Sequence, residues 1–374
     1  MRVLEVARQF YPKVGGIESS VLNLSRGLAA RGHTVEIVTL DADLRTGLRI
    51  DSPATIDSIP IHRIPWFGSR RYPIALSWLR LIDGFDVLHI HAIDFFIDSA
   101  ALTRRVGLHN KPIVVTTHGG IFHTRAWRGL KNLYWRNILK RSLSTASKVV
   151  AVSDGDASLF ASIVSADRLV TIPNGVDTAF ANAPADRVRG RLVCIGRVTD
   201  SKAIDQVIHL LALVARNSPD AELFVAGPDE DGTVERLARQ SARLGLEARV
   251  RILGALPIAE LAALSASAHL YVSAAQHEGF GITTVEALSA GTPVLVTRTG
   301  VHEEVVKPDV NGWFWSGKAD AESAATLRNA LLLSDTRLDD MRTAARASAA
   351  PFDWEISTGK YERVLESAYR ENQH

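Results

Sequence analysis

Short runs of β-branched and aliphatic residues alternate with stretches in which apolar positions recur every three or four residues, and the alternation persists along nearly the whole chain. In the first half the runs are Val3–Ala7, Val35–Leu40, Val87–Ile90, Ile113–Thr117 and Val149–Val152. Helical patterns separate them at Ser19–Ala30, Asp94–Val106, Ala126–Ser142 and Asp154–Ile163. The second half repeats the scheme, with runs at Leu192–Ile195, Leu223–Ala226, Val250–Leu253, Leu270–Val272 and Val294–Val296 and helical patterns near Ile204–Asn217, Thr233–Leu244, Ile258–Ala268 and Ile282–Ala290. Apolar runs without alternation read as strands buried on both faces, and their succession with helices reads as parallel sheets. The pattern predicts an α/β protein of two Rossmann-like, doubly wound parallel-sheet domains.

The small, proline-containing segment Asn182–Asp186, just after Pro173-Asn-Gly-Val-Asp177, marks the expected boundary, giving domains 1–184 and 185–353. After the breaker Ala350-Pro351-Phe352-Asp353, residues Ile356, Tyr361, Val364, Leu365 and Tyr369 form an amphipathic helical stripe. This predicts that the segment 354–374 returns to brace the first domain.

A length of 374 residues with 46% hydrophobic content favours two domains and argues against disorder. The lone Cys194 cannot form an internal disulfide, and Glu5 and Arg8 interrupt any signal-like stretch in Met1–Pro12, so a cytoplasmic location is expected. No stretch reaches the ~18–20 apolar residues of a bilayer span, which leaves peripheral contact as the only expected form of membrane attachment. The net charge of +2 conceals an asymmetry: residues 1–184 hold 22 Lys+Arg against 15 Asp+Glu, and the remainder holds 21 against 26. The basic half points to an anionic ligand or surface, and without a recognition motif the excess is too mild for a nucleic-acid partner.

The most informative chemistry lies in Glu278-Gly-Phe-Gly-Ile-Thr-Thr-Val-Glu286. Gly279 and Gly281 allow a tight turn whose unpaired N–H groups, from Phe280, Gly281 and Ile282 at a helix start, can meet a diphosphate. Glu278 ahead of the turn suits sugar hydroxyls, and Glu286 inside the helix suits a ribose diol. Taken alone, Glu286 reads better as an ordinary acid near a helix start; the whole segment is what favours the ligand reading. Arg197 and Lys202 follow the first strand of the second half, where two cations can neutralise a departing diphosphate. Gly15-Gly16 occupies the matching loop of the first half, at a helix start but without a dinucleotide fingerprint. His118 ends the strand Ile113–Thr117 and is placed to bond a sugar hydroxyl or orient an acceptor.

Metal signals are weak. Asp41-Ala-Asp43 and Asp229-Glu-Asp231 read as loop and cap acids, His89 and His91 alternate on one strand with no cysteine to join them, and His62, His109 and His209 carry no special role. No metal is expected. From Arg125 to Lys148 the chain carries seven cations and no acid, interleaved with aromatic and aliphatic residues. A helix there would turn Leu130, Tyr134 and Ile138 inward and offer Trp127, Arg128, Lys131, Trp135 and Lys140 to an anionic membrane on the inner face of the cell membrane.

Taken together, Gly15-Gly16, Asn174-Gly175-Val-Asp177, Arg197 with Lys202, Glu278 with Glu286, and Asn311-Gly312 resemble the family 4 retaining glycosyltransferases, whose fold, called GT-B, implies two such domains facing across a cleft. The resemblance spans almost the whole chain, and its most specific part is the pair of glutamates seven residues apart. It implies that Glu278 contacts the donor sugar, Glu286 the ribose, Arg197 and Lys202 the diphosphate, and the Gly15-Gly16 loop the donor phosphates or the acceptor, with Glu278, Lys202, Arg197 and His118 forming the catalytic set. A narrower likeness lies in Arg71-Tyr-Pro-Ile-Ala75, His91-Ala-Ile-Asp-Phe-Phe96 and Thr117-His-Gly-Gly-Ile-Phe-His-Thr124, which look like the α-mannosyltransferases acting on lipid-linked cellobiose in xanthan- or acetan-type exopolysaccharide assembly. It implies GDP-mannose as donor, a polyprenyl-diphosphate-linked acceptor, an α-1,3 linkage, and acceptor contacts from Asp94, His118 and His123. Thr283, where many members carry proline, and Ala203, where glycine often follows the lysine, depart from the family pattern. Two rival readings are an epimerase or hydrolase of sugar nucleotides on the same frame, and a nucleotide-sugar-binding protein without catalysis.

Overall fold

The computed structural model describes residues 1–12, 15–50, 53–119, 128–184, 186–276, 278 and 280–373. They form two compact units, one of Met1–Gly175 with Trp354–His374 and one of Val176–Asp353. The division falls at Gly175/Val176, upstream of the segment at which the sequence pattern places it. Gly175 is held by packing: a Cβ there would lie 2.5 Å from Trp354 Cγ, so only glycine lets the indole cover this turn.

Ten strands belong to the first unit: β1 Arg2–Ala7, β2 Thr34–Leu40, β3 Thr55–Ile56, β4 Ile59–Ile64, β5 Phe67–Ser69, β6 Tyr72–Ile74, β7 Val87–His91, β8 Ile113–Thr116, β9 Lys148–Ala151 and β10 Leu169–Thr171. Eight of them make one sheet in the order β10-β9-β8-β7-β1-β2-β4-β3, parallel except for the β3–β4 pair, while β5 and β6 form a separate hairpin. The order reverses between β1 and β7, and ligands of open α/β sheets bind beyond the carboxyl ends of such a strand pair. The C-terminal helix Trp354–Glu371 packs on helix Gly16–Ala30, burying Tyr361 and Leu365 with Leu24 and Leu28. Gly27 permits this close approach, because a Cβ would meet Thr358 Oγ1 at 2.5 Å.

The second unit is a six-stranded, wholly parallel sheet in the order β13-β12-β11-β14-β15-β16, from β11 Arg191–Ile195, β12 Glu222–Ala226, β13 Val250–Gly254, β14 Leu270–Ser273, β15 Val294–Val296 and β16 Gly312–Phe314. Its reversal lies between β11 and β14. That topology brings together two loops far apart in sequence, the one after Ile195 and the one after Ser273.

The basic segment differs from expectation. Trp135 is buried at 6% exposure against Phe160, with ring centroids 4.9 Å apart, so it is a core residue and not a membrane contact. Ile138 is instead 50% exposed and Tyr134 is half-buried, its hydroxyl donating to Asp98. A π-helical turn at Trp135–Leu139 accounts for the change, since i→i+5 bonding under-winds the helix and shifts a phase extrapolated at 3.6 residues per turn.

Candidate active site

In the second unit, Gly196 follows β11 and the chain turns through a short 3₁₀ segment, Asp200–Lys202, into helix Ile204–Val214. Lys202 lies along the turn, and a Cβ on Gly196 would be 3.8 Å from its Cε. Its Nζ pairs with Glu278 Oε1, which arrives from the loop after β14, and both side chains are mostly buried. These two residues, predicted to act together, are in contact. Arg197 is turned elsewhere: its Nη1 donates to Glu230 at 2.9 Å, and the side chain is 56% exposed. Ala203 caps the helix at φ 48, a left-handed conformation that costs an L-residue about 1–2 kcal/mol and that glycine would adopt freely.

Glu278 is supported from a third loop. Its backbone N–H donates to Thr299 Oγ1 at 3.3 Å, and Gly300, at φ 56, leaves so little space that a Cβ would sit 2.8 Å from the Glu278 carbonyl oxygen. Helix Ile282–Ser289 begins at Gly281, which has φ 81 and the buried His302 ring 3.0 Å from where a Cβ would be. His302 is locked as one tautomer: its Nδ1–H donates to the Thr297 carbonyl at 2.8 Å, leaving Nε2 to accept from Thr284 Oγ1 at 2.9 Å. Phe280 is buried against Phe352, and the Thr283 hydroxyl bonds Tyr271 at 2.8 Å. Ile282 is half-buried, and Gly279 lies outside the described residues.

Glu286 keeps some accessible surface, yet desolvation, with Asp177 adding to it, pushes its carboxyl up to about 8. At neutral pH it therefore holds a proton and can donate as well as accept. The unfolded carboxyl titrates near 4.5, so between there and about 8 the folded chain binds a proton the unfolded chain lacks, and stability falls as pH rises. Glu286→Gln removes that titration. Melting followed from pH 6 to 9 should show the wild type losing more stability than the variant, and parallel curves would exclude a raised carboxyl.

In the first unit, Gly15 starts helix Gly16–Ala30, and a Cβ there would strike the Glu18 carboxylate at 2.5 Å, whereas Gly16 faces open space. Asp94 caps helix Phe95–Arg105 through Phe96 N–H at 2.9 Å, and burial raises its carboxyl to about 6 despite Arg8. His118 is half-buried at φ 50, with Thr117 beside it tied to the Asp156 carboxylate. Its Nε2 lies 3.0 Å from His91 Nδ1. The sequence pattern passes over the partner behind it: His91 Nε2 sits 2.5 Å from Glu5 Oε2, in the sheet interior. Of the basic segment, Lys131 is half-buried and Lys140 exposed. His123, Trp127 and the Arg128 side chain lie outside the described residues.

The acid pairs are occupied as loop ties. Asp43 accepts from Arg45 N–H at 2.6 Å, Asp229 from Gly232 and Thr233 N–H at 3.0 Å, and Asp231 from Asp200 N–H at 3.1 Å. No helix among the described residues is long and apolar enough to cross a membrane.

Two family models divide the chain between them: Glycosyltransferase Family 4 matches residues 14–180 and Glycosyl transferases group 1 matches residues 178–348. A GDP-mannose:cellobiosyl-diphosphopolyprenol alpha-mannosyltransferase of Komagataeibacter xylinus is 36% identical over 98% of this chain and 93% of its own length. The chain belongs to the family 4 glycosyltransferases. The enzyme of the same name from Xanthomonas campestris is 35% identical over 96% of this glycosyltransferase and 95% of itself. Among solved structures, sucrose-phosphate synthase from Thermosynechococcus elongatus superposes with a TM-score of 0.79 at 19% identity over 99% of both chains. HepE of Anabaena in complex with UDP superposes at 0.78 and 21% identity over 98% of this chain and all of that one. The fold is GT-B.

Proposed function

We propose that this glycosyltransferase moves mannose from GDP-mannose to a polyprenyl-diphosphate-linked oligosaccharide, cellobiosyl in the simplest case, retaining the anomeric configuration and forming an α-1,3 bond. One observation carries the reading: the likeness to enzymes named for this transfer runs end to end, at 35–36% identity, and is not confined to the donor motif. The site supports the chemistry. The diphosphate leaves toward Lys202 and the N-terminus of helix Ile282–Ser289, Glu278 grips the sugar, and the acceptor hydroxyl attacks from the side the leaving group vacates. No covalent nucleophile is required, and the departing phosphate oxygen takes the acceptor's proton. Lys202 supplies the positive charge in this reading, so activity should survive chelation of divalent metals.

The purified enzyme, offered GDP-mannose, UDP-glucose and UDP-galactose with cellobiosyl-diphosphopolyprenol, should transfer mannose alone, and the product should show an α anomer by NMR. A β product, or GDP release equally fast without the lipid, would defeat the proposal.

Attachment to an anionic membrane belongs to the same reading, with altered residues. Leu133 and Ile138 are exposed beside the exposed Arg136, Lys140 and Arg141, an apolar and basic outward face. Flotation with phosphatidylglycerol vesicles should fall clearly when Leu133 and Ile138 are both replaced by Ser. Equal flotation of wild type and variant would remove this face from the interaction.

A further inference from the structure

Behind His118 runs a chain of buried polar groups that the proposed transfer does not itself require. Glu5 on β1 stands opposite His89 on β7, and His91 opposite Thr116 on β8, so the parallel register directs all four toward one face of the sheet. Their exposures are 0%, 0%, 1% and 0%. His91 Nε2 is 2.5 Å from Glu5 Oε2, His89 Nδ1 is 2.8 Å from the same oxygen but out of line for a hydrogen bond, and His89 Nε2 is 2.8 Å from Thr116 Oγ1. Tyr361 of the C-terminal helix closes the far end, its hydroxyl 3.4 Å from Thr116 Oγ1.

Glu5, His89 and His91 could be read as a metal-binding trio. The separations argue against it, because an ion with ligands at ~2.0–2.1 Å in tetrahedral geometry holds them about 3.3 Å apart. These groups touch one another directly.

The hydrogen-bond inventory of the chain fixes its protons. An ionised carboxylate only accepts, so His91 must present Nε2–H to Glu5. Burial raises the Glu5 carboxyl, but the contacts with His89 and His91 outweigh it and hold the carboxyl below its ordinary value. Desolvation holds His91 down at about 4, so the ring is neutral and its Nδ1 is a bare lone pair. Facing that lone pair at 3.0 Å, His118 Nε2 must carry a proton. Burial, with His91 next, also holds His118 well below its ordinary value, which leaves its own Nδ1 bare. Among the described residues nothing bonds that nitrogen. The backbone is held for the purpose as well: both residues beyond the strand ends, Ala92 at φ 75 and His118 at φ 50, are left-handed, and such strain collects where geometry is set for function.

We propose that Glu5 and His91 are positioning residues that fix the tautomer of His118, so that its bare Nδ1 accepts a hydrogen bond from a substrate sugar hydroxyl. That the hydroxyl belongs to a sugar rests on the transferase reading; the tautomer does not. The relay makes His118 an acceptor toward substrate, unable to donate to a phosphate or ring oxygen from that nitrogen.

Imidazole ¹⁵N spectra of the full-length, histidine-labelled enzyme without ligand should show His91 and His118 both protonated on Nε2. An Nδ1–H tautomer or an imidazolium at His118 at pH 7.5 would overturn the relay, and this arm needs no variant. Glu5→Leu removes the acceptor at little change in volume: the His118 pattern should become mixed and kcat should fall roughly tenfold or more, with GDP affinity held within about twofold. A folded Glu5→Leu enzyme with the wild-type His118 pattern and kcat would refute the positioning role. Adding GDP-mannose alone, then GDP with a short-chain cellobiosyl-diphosphoprenol, assigns the hydroxyl to whichever ligand shifts the Nδ1 resonance. A shift with neither ligand would overturn the acceptor role. Because the ligand-free spectra test the relay whatever the donor proves to be, the two readings fail separately.

Discussion

Lys202→Ala is expected to lower kcat by about 10²–10³, the usual effect of deleting one preorganised group that meets developing charge. The structure gives two reasons to expect the upper end. Lys202 is the cation that reaches Glu278, whereas Arg197 is committed to Glu230 and largely exposed. Removing Lys202 also leaves Glu278, only 13% exposed, as an uncompensated carboxylate beside an incoming diphosphate. A double variant, Lys202→Ala with Glu278→Gln, should therefore be less impaired than the two single losses multiplied, the signature of residues that act as a unit. Lys202→Arg should not restore full activity, since a planar guanidinium cannot reproduce the point-charge contact that the lysine ammonium makes with Glu278. Steady-state transfer of labelled mannose measures the wild type and all four variants, and a Lys202→Ala enzyme within threefold of wild type would remove the lysine from the catalytic set.

Gly227→Ala is expected to cost on the order of 3 kcal/mol or more in the second domain. Gly227 has φ 148, a region almost closed to L-residues, and its Cβ would lie 1.8 Å from the Gly196 carbonyl oxygen. Neither side of that clash can withdraw. Gly227 N–H donates to Gly254 O at 2.7 Å and Gly196 N–H to Ala226 O at 2.9 Å, so the sheet pins both backbones. Because Gly196 opens the loop that carries Lys202, relief of the clash must also displace the site. Urea unfolding followed by ¹⁹F NMR of fluorotryptophan-labelled protein, through the resonances of Trp313 and Trp315 in the second domain, reads the stability of that domain. A variant with unchanged midpoint and activity would show that the two loops do not pack as described.

Much of this was legible beforehand because it is written in local pattern. The central strands of both sheets lie within a residue or so of the apolar runs that predict them, since a strand buried on both faces needs an unbroken apolar stretch. Several outer strands were not legible. Ile59–Ile64 contains proline, histidine and arginine, and Leu169–Thr171 and Gly312–Phe314 are too short to show a period. Leu169–Thr171 and Gly312–Phe314 are edges, paired on one side only, and Ile59–Ile64 is flanked on its outer side only by the two-residue strand Thr55–Ile56, so these positions tolerate residues that a fully covered central strand excludes. The basic helix shows the opposite failure, where a clear period was carried through a π turn that composition does not reveal.

The candidate site divides in the same way. Glu278 and Lys202 announce themselves through residue type and spacing near glycine turns, and so does His118 at the end of a strand. Their supports do not, because Thr299, Gly300 and His302 read as common loop residues until β14 and β15 bring them under Glu278 and Gly281. Glu5 is plainer still: in the sequence it is a charge that spoils a signal peptide, and only the β1–β7 register reveals its imidazole partners. Sequence alone determined the fold class, the two-domain division in outline, the family and the residues proposed to meet the donor, because each depends on periodicity or on chemistry concentrated in a few neighbouring positions. Tertiary structure decided which cation reaches Glu278, which tryptophan is core, and which proton His118 carries. These depend on contacts between residues dozens of positions apart, and strand order, not spacing along the chain, sets those contacts.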